Sequence, residues 1–143
     1  LGDEVGEQTL QRHDFAPSSS LLKMTSIHKG AFPNSAESQP VTIRLQRLDD
    51  VAEGLQLPLP MLVKIDVQGF EDRVLSGGEN TIKKASAIII ETSFVPLYEG
   101  QPLFNDIHRQ LARWGFLYAG SVGQLRSDTT GEVLQEDSLF LRS

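Results

Sequence analysis

The apolar and polar positions divide this chain into short strands and helices, and the clearest segment runs over residues 61–75. Met61, Leu62, Val63, Ile65 and Val67 make an apolar run rich in β-branched residues, the pattern of a strand buried on both faces. The run breaks at Gly69 and resumes as Phe70, Val74 and Leu75, a spacing that lines one side of a helix. Strand, glycine turn and helix together are half of a parallel crossover unit. A second run, Ala87-Ile88-Ile89-Ile90, also reads as a strand buried on both sides, and it too ends on a carboxylate, Glu91. The shared pattern predicts two adjacent parallel strands that bring Asp66 and Glu91 to one crevice.

The other elements are weaker. Alternation over 41–45 predicts a half-buried strand, followed by a short helix from Leu48 to about Gly54 with Asp49 as its N-cap. Pro58 and Pro60 set the entry to the central strand, and Gly77-Gly78 reads as a break. Residues 79–84 form a helical turn or two, acidic at the start and basic at the end, as the helix dipole favours. A loop over 95–100 precedes a helix that Pro102 opens. Its stripe is Leu103, Phe104, Ile107, Leu111 and Trp114, and Gly115 ends it. Strands over 116–119 and 138–141 flank a turn over 127–131 and close the chain as a hairpin. Before residue 40 the pattern gives a short exposed strand over 8–13 and a turn at Pro17-Ser18-Ser19-Ser20. It then gives the apolar pair Leu21-Leu22 and a loop over 28–39. The order is that of an α/β domain.

Length and charge narrow the function classes. At 143 residues the chain is one domain, 1–143, large enough for a real core. A net charge of −6 and a pI near 5.0 argue against nucleic acid as a partner and against docking on anionic lipid. With no cysteine there is no disulfide framework or thiolate metal site, which fits a reducing, cytoplasmic compartment. No apolar run approaches the ~20 residues of a membrane span. The start, Leu1-Gly2-Asp3-Glu4, has neither an initiator Met nor a signal-peptide pattern and reads as a cut.

Candidate chemistry gathers at the two strand ends. Asp66 is the first candidate, as general base, hydroxyl-positioning group or cation ligand. Glu91 and Lys64 join it as catalytic candidates. The competing reading has Asp66 cap the next helix or pair with Lys64, whose ammonium satisfies Asp66 or Glu91 in a structural role. Glu71 lies in a first helical turn, where a negative charge is stabilising regardless of function. His13, His28 and His108 have no partners at metal-ligand spacing, and no metal is expected; His108 falls on the polar, solvated side of its helix. The serine run 18–20 lacks the glycine elbow of an activated nucleophile.

The block Lys64-Ile65-Asp66-Val67-Gln68-Gly69-Phe70-Glu71, with Val74-Leu75-Ser76-Gly77-Gly78, resembles the signature of the FkbM family of S-adenosylmethionine-dependent methyltransferases. Leu1-Gly2-Asp3 with Gly6, Ser19-Ser20-Leu21 and Arg47-Leu48-Asp49-Asp50 resemble the segments before it. Ile88-Ile89-Ile90-Glu91 and Asp137-Ser138-Leu139-Phe140 resemble those after it. Many members have Glu where this chain has Gln68. The family's glycine-rich cofactor turn and ribose carboxylate have no match here, and Gly2 and Gly6 follow no apolar strand. The resemblance therefore implies the carboxyl-terminal part of a Rossmann-like methyltransferase. Its sheet would be partial and mostly parallel, with a reversed closing hairpin.

The function implied is O-methylation of a hydroxyl on a small molecule or sugar, with S-adenosylmethionine as cofactor and Gln68, Gly69 and Glu71 meeting the substrate. Any cofactor contact in this part falls near Gly2 and Asp3. A homo-oligomer through the sheet edge left open at the central strand is also expected. The alternative is a non-enzymatic α/β binding module or an inactive fragment.

Overall fold

The computed structural model describes residues 1–13, 19–27 and 38–143. Two strands, β1 (Gly6–His13) and β2 (Ser38–Leu45), pair antiparallel along their whole lengths, from Gly6 opposite Leu45 to His13 opposite Ser38. A one-turn-and-a-bit helix, α1 (Leu48–Ala52), leads to β3 (Leu62–Ile65). Helices α2 (Glu71–Gly77) and α3 (Glu79–Ile82) then connect β3 to β4 (Ala87–Ser93). Helix α4 (Phe104–Arg113) connects β4 to β5 (Phe116–Arg126), and β6 (Val133–Arg142) ends the chain.

The second sheet has the order β3-β4-β6-β5. β3 and β4 are parallel, with Leu62 opposite Ala87 and Ile65 opposite Ile90, as the two apolar runs predict. The sheet is nonetheless mixed rather than mostly parallel in its pairings, because β6 inserts antiparallel between β4 and β5. The cause is local: a tight turn after β5 returns β6 alongside it, and a short connection allows only antiparallel pairing. β3, β4 and β5 still point the same way.

Both crossovers, β3 to β4 and β4 to β5, step in one direction across the sheet. Right-handed crossovers that step the same way put their helices on the same face. The core lies there, with Ile65, Ile88, Ile90, Phe116 and Phe140 packed on Val74, Leu75, Ile82, Ile107 and Leu111. The other face is not sealed. Leu62, Leu117 and Leu141 are exposed to 58%, 62% and 44%, so neither apolar run is buried on both sides as expected. On β4 the alternation is plain: Ile88, Ile90 and Thr92 are buried, whereas Ile89 and Glu91 are half-buried.

Several local expectations change. Asp49 does not cap its own helix, whose N-cap is Arg47. Its carboxylate instead accepts hydrogen bonds from the Thr81 amide and hydroxyl, both at 2.8 Å, and from Asn80, so it serves the start of α3. Partial burial raises its proton affinity, but those donors outweigh it and hold the carboxyl below the usual range. Gly77-Gly78 is a seam rather than a simple break. A Cβ on Gly77 would overlap the Gly2 carbonyl, and one on Gly78 would stand 2.8 Å from Leu48. β1 begins two residues earlier than expected, and β5 and β6 run well past the predicted strands. The loop expected over 28–39 falls outside the described residues up to 37, and β2 already begins at Ser38. Most of the turn expected at Pro17–Ser20 is outside them too, while Ser20 is buried and bridges to Gln11. His108 is exposed, but its ring lies 5.7 Å from that of Phe104.

Candidate active site

The backbone after β3 makes an unusual turn before α2. Gln68 has a φ of 54° and Gly69 a φ of 95°, both in the left-handed region that non-glycine residues rarely occupy. Gly69 is also boxed in, since a Cβ there would lie 3.1 to 3.2 Å from Tyr98, Gln101 and Leu22. Glu71 fastens the turn from below: one carboxylate oxygen accepts the Val67 and Gly69 amides, each at 3.2 Å. The Ser20 hydroxyl donates to the Gln68 carbonyl from the amino-terminal segment. The turn thus aims the Gln68 side chain back over the strand ends.

There the Gln68 amide joins the two predicted carboxylates. Its Nε2 donates to Asp66 Oδ1 and to Glu91 Oε2, both at 2.9 Å, and its Oε1 accepts from the Tyr98 hydroxyl at 2.9 Å. Lys64 Nζ lies 3.1 Å from Asp66 and 3.4 Å from Asp137, which stands opposite Glu91 on β6. In register order Asp66, Glu91 and Asp137 form a row across three strands on one sheet face.

The electrostatics follow from this crowding. Burial, with Asp66, Glu71 and Asp137 adding repulsion, pushes the Glu91 carboxyl up to about 8. Burial pushes Glu71 up to about 7, against the pull of its amide donors. Tyr98 is raised as well, by burial and by Glu91. Burial works against the Lys64 ammonium, but Asp66 and Asp137 outweigh it and raise its pKa.

The predicted residues thus divide. Asp66, Glu91, Lys64 and Gln68 meet at one crevice. Gly69 and Glu71, expected to meet substrate, lie underneath and build the turn, and Glu71 is only 3% exposed. Gly2 and Asp3 sit elsewhere, in the seam with α2: Asp3 pairs with Arg73 at 2.8 Å, and the Gly2 amide donates to the Gln46 carbonyl. Sequence reasoning missed Tyr98 and Asp137. Tyr98 lies in a stretch with no periodicity, and Asp137 reaches the row only through the β4–β6 register. On the opposite face, buried Glu136 accepts the Tyr118 and Ser138 hydroxyls at 2.8 and 2.7 Å, also without a signal in the sequence.

Residues 1–118 match the sequence model of the methyltransferase FkbM domain. This chain belongs to the FkbM methyltransferase family. The match runs from Leu1 through the Asp66–Glu91 crevice and ends at Tyr118, so β6 lies beyond it. The FkbM domain is also 40% identical over 62 residues to the 2-O-methyltransferase NoeI of Sinorhizobium fredii (strain NBRC 101917 / NGR234). That alignment covers 43% of this chain and 26% of the relative. No solved structure matches. No helix among the described residues is long and apolar enough to cross a membrane, which does not bear on β-barrels.

Proposed function

We propose that the FkbM domain forms the acceptor side of a Rossmann-like, S-adenosylmethionine-dependent O-methyltransferase acting on a hydroxyl of a small molecule or sugar. The observation that carries this reading is the Asp66–Gln68–Glu91 bridge at the carboxyl ends of two parallel strands, where α/β sheets bind ligands. Membership of a methyltransferase family and the likeness to a 2-O-methyltransferase support the reaction class.

The residues present fit the cationic end of the cofactor. Asp66, Glu91 and Asp137 face one crevice with Lys64 as counter-charge, so a sulfonium meets a net acidic surface held by Asp66 and Asp137. When bound, the cofactor supplies an electrophilic methyl carbon. The chain's own residues handle the acceptor. A carboxylate whose pKa is about 8 holds protons strongly enough to take one from a hydroxyl as its oxygen attacks. That favours Glu91 over Asp66, the first choice from the sequence, because Asp66 is 41% exposed and tied to Lys64. Asp66 and Gln68 then fix the Glu91 carboxylate, and positioning supplies much of the remaining rate. Protein solubility in the cytoplasm and action without a metal belong to the same proposal.

The test is methyl transfer from labelled S-adenosylmethionine to hydroxyl acceptors by the full-length protein. Wild type should transfer label to oxygen, and Glu91→Gln should be slower by roughly 10²–10⁴-fold while staying folded. Full activity in Glu91→Gln would remove it as the base, and wild-type protein inert toward every hydroxyl acceptor would favour the binding-module alternative.

A further inference from the structure

A side-chain amide sits between two carboxylates only when its nitrogen faces them, and the partner of its oxygen decides which way it faces. For Gln68 that partner is Tyr98. Gln68 Nε2 donates one hydrogen to Asp66 Oδ1 and the other to Glu91 Oε2, while Oε1 accepts from the Tyr98 hydroxyl, each at 2.9 Å. Turned over, the amide would set its carbonyl oxygen against both acids. Tyr98 stays a donor because burial first, and then Glu91, Glu71 and Asp66, raise its pKa and keep the phenol protonated. The phenol is also firmly placed. Tyr98 is fully buried, and Gly69, having no Cβ, lets it pack directly against the turn. Residues 23–25 run antiparallel to residues 97–99: the Thr25 amide donates to the Leu97 carbonyl at 2.9 Å and the Glu99 amide to the Lys23 carbonyl at 2.8 Å, with Met24 bridged to Tyr98. Ser20, just before them, donates to the Gln68 carbonyl. One segment thus holds both ends of the Tyr98–Gln68 bond.

We infer that Tyr98 is a positioning residue for the proposed base: its hydroxyl fixes the direction of the Gln68 amide, so that N–H groups and not a carbonyl meet Asp66 and Glu91, and it acts on Glu91 through Gln68. The catalytic consequence rests on the methyl-transfer reading, whereas the geometry does not. The groups facing Glu91 are Asp66 and Lys64 on β3, Glu71 on α2, Asp137 on β6 and Tyr98 after β4. Burial and the three acids oppose the ionised form, and Lys64 favours it. A donated N–H from Gln68 favours it too. Without the phenol, Gln68 Oε1 loses its donor, and protonated Glu91 is a donor within reach of a turned amide. The turn exchanges an N–H for a carbonyl at Glu91, which stabilises the protonated acid and moves its ionisation to higher pH. One hydroxyl that the sequence did not single out thereby sets how much of Glu91 is available as a base.

The test follows the Glu91 carboxyl resonance of the carbon-13-labelled full-length protein, assigned by its loss in Glu91→Gln, through pH titrations without cofactor. Wild type should titrate near pH 8. Tyr98→Phe keeps the buried ring, and its midpoint should rise by about one pH unit. Gln68→Met should raise the midpoint as well, and adding Tyr98→Phe to Gln68→Met should raise it no further. In turnover at pH 8, Tyr98→Phe should lower kcat about fivefold with KM little changed, and the loss should recover at higher pH. A midpoint unmoved in Tyr98→Phe, even beside a lower melting temperature, would make the residue merely structural and overturn the inference. A rise that persists in the Gln68→Met background would overturn it too, because the effect would not pass through Gln68. The expected midpoints in a protein that transfers no methyl would instead overturn the methyl-transfer reading and leave the positioning role standing.

Discussion

Glu71 is the residue whose environment departs furthest from what its place in the sequence suggests. In a first helical turn it reads as an ordinary dipole-compensating charge, yet it is buried and holds a proton up to about pH 7. A folded-state pKa above the ordinary 4.5 means the protonated form is stabilising below about 4.5, and that contribution fades as pH climbs to 7. The shift corresponds to about 3 kcal/mol at one pKa unit per ~1.4 kcal/mol. Glu91 acts in the same direction up to about 8. Denaturant titrations should therefore find the protein less stable at pH 8 than at pH 5. Glu71→Gln keeps an acceptor for the Val67 and Gly69 amides and should flatten that slope. Glu71→Ala leaves both amides unpaired and should lose about 3 kcal/mol even at pH 5. A pH-independent wild type would contradict the buried-acid account. Lys64, Asp66 and Glu91 were legible because each ends or interrupts an apolar run. Tyr98 and Asp137 were not, because a side chain that reaches a site through a loop or a register leaves no periodic trace.

At the scale of elements, the period of the pattern was a good guide and its depth was not. β3, α2, β4 and α4 stand where alternation, glycine and stripe put them. Burial on both faces did not follow, because it depends on where the crossovers lay their helices, and here all pack on one face. β5 exceeds its predicted length because Gly120 and Gly123 look like breaks; in the structure they accompany register shifts of a strand that continues. Gly77 shows the same limit, since its reason is the Gly2 carbonyl, far away in sequence. Gly77→Ala should destabilise by about 1–3 kcal/mol, as overpacking does, and Gly54→Ala, with nothing within 4 Å of its Cβ but a φ of 76°, should cost less. Melting curves of the two variants decide it, and equal losses would mean the seam yields freely.

For the molecule as a whole, the sheet's order leaves β3 at one end, its outer side without a strand among the described residues. Beside it runs an apolar cleft of about 380 Å³ that includes Leu48, Val51, Leu55, Leu62 and Val63. Unpaired backbone and exposed Val51, Leu55 and Leu62 make this edge suited to adding a strand. Light scattering of this 143-residue chain across a concentration series should show self-association, and a stable monomer would show the edge is tolerated. The parallel pair at the sheet's end was readable from two runs that each finish on an acid. The insertion of β6 was not, because nothing in a terminal strand's own residues says which neighbour it will part. That insertion completes the acidic row by bringing Asp137 beside Glu91. The central claim is that burial, together with this row, makes Glu91 a base working near neutral pH, and the pH dependence of single-turnover methyl transfer by the full-length protein tests it most directly. The rate should climb with pH, half-maximal near pH 8 and levelling off above it, in wild type, and in Glu91→Gln it should be low and lose that rise. A wild-type rate already flat from pH 5 upward, or the same rise in Glu91→Gln, would contradict it.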